Sequence, residues 1–157
     1  MSDESVKRAA QEYAAERISE LSHSEEAKLN REAAFKLAYP LWRQLAASVL
    51  AQCNEWNAIT QEQTFICRET PMGDLRILCP GKSQQMIVHF DSRQLLITLK
   101  NSARLEHEKD TVFSIEGYMT DSGRQARLTR NNQASNFDYV LLGHLRLMAG
   151  IARQANS

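Results

Sequence analysis

Glycine and proline are almost missing from the first third of this chain. Residues 1–57 contain no glycine and a single proline, Pro40, and all six glycines follow residue 72. Glycine and proline are the residues that most strongly interrupt helices. Their absence therefore predicts a helical N-terminal part, and the alternation of apolar and polar residues after Asn57 predicts strands.

An excess of charge of one sign is also missing. The 157 residues carry 19 Lys and Arg against 19 Asp and Glu, so the net charge is zero. Such a chain has no long-range field that would attract it to nucleic acid or to an anionic membrane. The only local basic cluster, Arg124, Arg127 and Arg130, is spread over both faces of a strand, and we therefore expect nucleic acid to be an unlikely partner.

Paired cysteines, a leader and a long apolar run are not indicated either. Cys53, Cys67 and Cys79 are odd in number and lack CxxC spacing, which favours reduced thiols in a cytoplasmic protein. Asp3 and Glu4 stand where a secretory signal would be basic and then apolar. No apolar run approaches the roughly 18 residues of a membrane span.

Residues 3–21 favour a helix that has little apolar surface to bury. A capping-box pair, Ser22 and Glu25, predicts that this helix stops and restarts. We therefore divide the chain into an N-terminal helical extension, residues 1–22, and a single α+β domain, residues 23–157. The narrow apolar stripe of the extension is the predicted partner-binding surface, which consists of Val6, Ala10, Tyr13, Ile18 and Leu21.

Residues 25–57 carry a stronger apolar stripe, which includes Trp42 and Trp56 and predicts the main core helix. Pro40 lies within it. Because proline has no N–H group and disfavours helical geometry at Tyr39, we expect a kink or a fresh helix start there.

Alternating residues predict an antiparallel meander of about five to six strands. Residues 64–68 and 75–79 form one predicted hairpin and residues 86–90 and 95–99 a second. Residues 104–120 and 124–130 follow, joined by a glycine-containing turn, and Asn131 and Asn132 end the predicted sheet.

Residues 136–153 predict a closing helix whose apolar stripe is spaced for packing on the sheet. The predicted class is α+β, with N-terminal helices, an antiparallel meander and a C-terminal helix packed on the sheet in two layers. A meander followed by one covering helix resembles pleckstrin-homology-like architecture. That resemblance concerns the order of the strands and implies no function.

No sequence motif specifies a reaction, since a GxSxG-type serine elbow and a glycine-rich phosphate loop are both missing. His144, on the apolar stripe of the closing helix, and His89, near Asp91, are the most interesting histidines, and ordinary structural roles explain both better. With Trp42 and Trp56 they are the residues expected to line any pocket.

Cysteine and histidine are common zinc ligands, and one group of residues could supply them, namely Cys67, Cys79 and His89. Their sequence spacing is wider than the close ligand pairs of known zinc sites. We expect no metal, no cofactor and no catalytic residue.

The predicted function is a non-enzymatic cytoplasmic protein-interaction or assembly module, with a protein partner or self-association through the N-terminal helix. An alternative is a small-molecule or lipid-binding domain with an apolar pocket between helices and sheet. A small enzyme with a histidine-containing pocket is the third hypothesis. An exposed helical stripe favours the first, an apolar cavity the second and convergent titratable groups the third.

Overall fold

The computed structural model describes residues 3–151, which form two α-helices and seven strands. The helices are α1 (Asp3–Thr60) and α2 (Phe137–Met148). The strands are β1 (Ile66–Glu69), β2 (Leu75–Cys79), β3 (Gln84–Asp91), β4 (Leu96–Asn101), β5 (Thr111–Thr120), β6 (Gly123–Arg130) and β7 (Gln133–Ala134).

The strands form one antiparallel sheet whose spatial order follows the chain from β1 at one edge to β7 at the other. Each strand therefore pairs with the strand before it, as short connections require. The predicted α+β class, with a meander between N-terminal and C-terminal helices, is confirmed.

The structure has one strand more than the pattern predicts. Asn131 and Asn132 do not end the sheet but form a two-residue turn, because Arg130 on one side pairs with Gln133 on the other. Their φ angles are 53° and 64°. Asparagine tolerates this left-handed conformation better than most residues, and two such residues in succession are typical of a tight hairpin.

The segment before β5 is also different from its prediction. Residues 104–110 form turns rather than the start of a strand, and β5 begins at Thr111. An ion pair of 3.0 Å joins Arg104 Nε to Asp110 Oδ1 across this loop. The charged residues here are therefore loop residues.

Helix α1 runs without interruption through 58 residues. The predicted stop and restart between Ser22 and Glu25 is wrong. Of the two expectations at Pro40, a kink or a fresh helix start, the fresh start is wrong. Serine is only a slightly poorer helix former than alanine, so capping signals without a glycine or proline do not end the helix. Pro40 and Lys36 are both exposed, so the Lys36 carbonyl group that loses its helical donor can bond to water.

Both helices pack on one face of the sheet, which we call the inner face. Trp42 of α1 stacks on Phe90 of β3 with ring centroids 5.6 Å apart, and Phe137 of α2 packs on Phe113 of β5 at 5.5 Å. Phe90 and Phe113 lie in one row of the sheet, because both are register partners of Ile97. The core lies between the helices and this face.

The backbone of α1 approaches the sheet most closely at Gly117 of β5. A Cβ atom at this position would collide with the carbonyl group of Asn30 in α1. Gly117 pairs with Ala126 of β6, so the neighbouring side chain is also small. The glycine therefore provides the space in which α1 lies against the sheet.

Helix α2 begins at an N-cap, Asn136, whose side chain accepts a hydrogen bond from the Tyr139 amide at 3.1 Å. The helix ends at Met148, earlier than predicted, and the chain turns at Gly150, which has a φ of 81°. A left-handed glycine just beyond the last turn is a common helix stop. Residues 152 and 153, the end of the predicted helix, lie outside the described residues.

Replacing Leu141 or Leu145 with alanine should lower the free energy of unfolding by about 2–5 kcal/mol, because both side chains are completely buried. Leu142→Ala is the matched control, since Leu142 is 43% exposed on the same helix and should cost much less. Denaturant titration measures all three variants. Unchanged stability in both core variants would contradict the role of α2 as a covering layer.

Gly117→Ala should destabilise the domain, because the added methyl group would push α1 away from β5. Gly143→Ala in α2 is the control: a methyl group there meets nothing within 4 Å, and alanine favours the helix by about 0.5–1 kcal/mol. The two substitutions should therefore move the denaturation midpoint in opposite directions. A Gly117→Ala chain as stable as the parent would show that the close approach is not needed.

Candidate functional site

Helix α1 leaves the sheet at the hairpin between β5 and β6. Arg124 of β6 binds the carboxylate of Glu26 at 3.2 and 3.3 Å and also donates a hydrogen bond to the Asn30 side chain. The nearby Arg124 guanidinium group lowers the pKa of the Glu26 carboxyl below its usual value, first through this hydrogen bond and second through its charge. This contact marks the end of the docked part of α1.

Residues 3–28 of α1, which we call the arm, are all exposed. At a rise of 1.5 Å per residue, the arm is about 39 Å long. Its large apolar side chains are between 62% and 69% exposed, and they are Val6, Tyr13, Ile18 and Leu21. Ala10, the fifth residue of the predicted surface, is exposed as well.

Two rows of side chains, each advancing by four residues, join the arm to the docked part of α1. In the docked part of α1, the first row consists of Asn30, Ala34, Ala38 and Trp42. The last three of these are buried. Towards the N-terminus the same row passes through Glu26 and continues on the arm as Ser22, Ile18, Ala14, Ala10 and Val6.

The second row lies beside the first. Its docked part consists of half-buried and buried residues, namely Leu29, Ala33, Leu37, Leu41, Leu45, Val49 and Cys53. Its continuation on the arm is Glu25, Leu21, Arg17 and Tyr13. All five residues of the predicted partner-binding surface therefore lie on rows that pack against the sheet farther along the same helix.

The predicted pocket residues are not brought together. Trp42 is buried and stacks on Phe90, whereas Trp56, a half-buried residue near the end of α1, packs edge-on against Phe65 at 5.1 Å. Both indole rings fill space in the core layer.

The two histidines lie on opposite sides of the sheet. His89 stands between Val88 and Phe90, both of which lie on the inner face, so its side chain points to the opposite, outer face. There its Nδ1 atom lies 2.6 Å from Asp74 Oδ1. Asp91, which sequence reasoning placed beside His89, accepts hydrogen bonds from the Arg93 and Gln94 amides in a turn, and the bond from Gln94 is the main cause that lowers its pKa.

His144 of α2 lies on the inner side of the sheet, where it is bonded at both ring nitrogens. Asn101 is buried, and its Oδ1 accepts from the Ala103 amide, so its Nδ2 group is the donor to His144 Nδ1 at 3.0 Å. Nδ1 is therefore an acceptor. The ring proton is on Nε2, which lies 2.9 Å from Thr111 Oγ1. This arrangement holds a neutral histidine between two elements.

A groove lies between the last turns of α1 and the first turns of α2, and Trp56, one of the predicted pocket residues, lines it. Its volume is about 580 Å³. Apolar side chains form much of its lining, and they are Trp56, Ile59, Tyr139, Leu142 and Leu145. Polar groups come from Gln52, Glu55, Asn136 and Asp138, and the Gln52 side chain donates to the Asp138 carbonyl at 3.3 Å.

The basic cluster is engaged within the chain. Arg124 binds Glu26, and Arg127 lies 3.3 Å from Glu116 and stacks over the Tyr118 ring. Among residues 3–151, no three Cys, His, Asp or Glu side chains converge as metal ligands. In the same range no helix combines the length and apolarity needed to cross a bilayer.

No family model matches this chain, and comparisons with curated proteins and with solved structures also gave no match.

His144→Gln should lower the stability of the domain, because the shorter-reaching amide cannot replace both ring contacts and leaves Asn101 or Thr111 without its partner. A buried polar group without a partner costs about 1–3 kcal/mol. His89→Gln is the control, since the His89 side chain is 45% exposed and water can replace its bond to Asp74. Thermal or denaturant unfolding compares the two. Bound metal that disappears in His144→Gln would overturn the structural role.

Proposed function

We propose that this chain is a non-enzymatic interaction module that associates with a second copy of itself through the arm. The observation that carries the proposal is the exposure of Val6, Tyr13, Ile18 and Leu21 on a helical segment that no other residue among 3–151 covers. These side chains lie on the two rows of α1 described above, and exposed apolar patches are typical of interaction surfaces.

The arm continues an interface that already exists. The five residues of the predicted partner-binding surface lie on the two rows with which the docked part of α1 packs on the inner face. The arm therefore carries the same kind of packing surface at a place where the sheet no longer covers it. Most of the stability of a helix in a protein comes from packing of its apolar side, which the arm does not have among the described residues. A second packing layer would supply it.

The charges of the arm allow a second copy as that layer. The arm has seven acidic and four basic residues, so both signs are available for pairing along it, although its net charge is −3. Two arms therefore attract each other only where acidic and basic side chains lie opposite one another. The same surface on each copy can close a two-fold dimer.

Tyr13→Glu combined with Leu21→Glu should abolish self-association, because it places charges on the apolar rows. Tyr39→Glu is the matched control: Tyr39 is 62% exposed on the same helix, against 67% for Tyr13, but belongs to neither row. Light scattering after size-exclusion chromatography should give a concentration-dependent dimer for the parent and the control and a monomer for the double variant. A parent chain that is monomeric at every concentration would refute self-association.

Deleting residues 1–22 should leave a folded, cooperative domain that no longer associates, since the buried core begins only beyond the arm. Circular dichroism and denaturant titration measure folding, and light scattering measures mass. An unfolded or insoluble product would show that the arm belongs to the core of the domain.

The groove supports a second candidate function, binding of a small apolar molecule. Its volume falls in the range of about 300–1,000 Å³ that is usual for ligand sites, and its lining is largely aromatic and aliphatic with a few polar groups. The site lies between the two helices rather than between helices and sheet.

The dye anilinonaphthalene sulfonate serves as the probe for this groove. Its fluorescence with the parent chain should fall in Leu142→Glu and stay unchanged in Leu50→Glu, an exposed leucine of α1 that does not line the groove. Equal fluorescence in all three chains would exclude the groove as a binding site.

A further inference from the structure

Two of the three cysteines come together where α1 ends and the sheet begins. Cys53 is buried in α1, and Cys67 is half-buried in β1. Cys67 is the register partner of Ile77, a fully buried residue, so its side chain points to the inner face, where α1 lies. Cys79, two residues beyond Ile77 on β2, is therefore not the register partner of Cys67.

A pair of hydrogen bonds fixes the register between α1 and β1. The side chain of Asn57 donates to the Phe65 carbonyl at 2.8 Å and accepts from the Phe65 amide at 3.0 Å. Trp56 packs on the same phenylalanine ring. These contacts hold the last turns of α1 against the chain that enters β1.

This clamp places the two cysteines side by side. Cys53 lies one turn before Asn57, about 6 Å back along the helix, and Cys67 lies two residues beyond Phe65, about 6.6 Å along the strand. Because the strand returns along the helix, both steps lead in the same direction. Both side chains belong to the same core cluster, and the Cys53 thiol acts as a hydrogen-bond donor to Cys67 in shifting its pKa.

The two sulfur atoms are chemically different. The hydrogen bond from Cys53 lowers the pKa of Cys67, whereas the bond to Cys67 and burial raise the pKa of Cys53. Burial also raises the pKa of Cys79. Cys67 is therefore the thiol that is most readily ionised, and a thiolate is the form that reacts with oxidants.

We propose that Cys53 and Cys67 are a peroxide-responsive thiol pair that closes to a disulfide between α1 and the edge strand β1. In the first step the Cys67 sulfur attacks hydrogen peroxide, the O–O bond breaks, and a sulfenic acid and water form. In the second step the Cys53 sulfur attacks Cys67, the S–OH bond breaks, and a second water leaves with the Cys53 proton. Two thiols are oxidised and one peroxide is reduced to two waters.

The experiment treats the full chain with hydrogen peroxide and then blocks remaining thiols for mass spectrometry under non-reducing conditions. The parent should lose two hydrogen atoms from its mass and give one cross-linked peptide pair containing Cys53 and Cys67, with Cys79 still a thiol. Cys79→Ser is the matched control and should give the same cross-link. The oxidised chain should unfold at a higher denaturant concentration than the reduced chain, because the disulfide lowers the conformational entropy of the unfolded chain.

A second variant separates the two steps. Cys53→Ala should accumulate Cys67 sulfenic acid, which dimedone traps, and should form no internal cross-link. The parent chain alone decides the proposal if this variant folds poorly. A cross-link through Cys79, or a parent whose Cys67 passes to sulfinic acid while Cys53 remains a thiol, would overturn it.

Discussion

The contact between the Asn30 backbone and Gly117 sets the position of α1 on the sheet. With no side chain on β5 at this point, the helix lies close enough for Trp42 to stack on Phe90 and for Arg124 to reach Glu26. The same contact decides where the helix stops being covered, because the sheet ends at the adjoining hairpin between β5 and β6. The covered part of α1 therefore ends close to this contact.

The far end of α1 follows from the same placement. The continuous helix that packs on β5 at residue 30 contacts β1 and α2 with its later turns, and Asn57 then fixes the returning strand through the Phe65 backbone. The thiol pair and the groove both lie near the contact between Asn57 and Phe65. Cys53 packs in the core with Cys67 of β1, and Trp56 lines the groove between α1 and α2. Neither feature depends on the arm.

The fold could be predicted from the sequence because its signals are local. Alternation predicted the strands from β1 to β6, and helical spacing predicted both helices. The wrong predictions rest on weak local signals. Ser22 and Glu25 can cap a helix, but no residue there breaks one, and Asn131 and Asn132 predict an end of the sheet where the structure has a tight turn.

The candidate site was harder to predict from the sequence than the fold. The exposed stripe of the arm was predictable from its composition, whereas pairing of Cys53 with Cys67 depends on a helix-to-strand register that no local pattern contains. Asn101, a polar residue at an inward position of β4, was a readable sign of the His144 contact.

The four-residue advance of the two rows also constrains how a second arm can lie on the first. Each step of four residues turns by about 40° more than a full helical turn, so the apolar surface winds around α1 instead of following one side. Ridges of this kind interdigitate when two helices cross at about −50°, not when they run side by side as a heptad repeat requires. Two crossing arms share only a few turns. The proposed contact would therefore be small, and a few large side chains would supply most of its strength, since charged residues separate Tyr13, Ile18 and Leu21 along the arm.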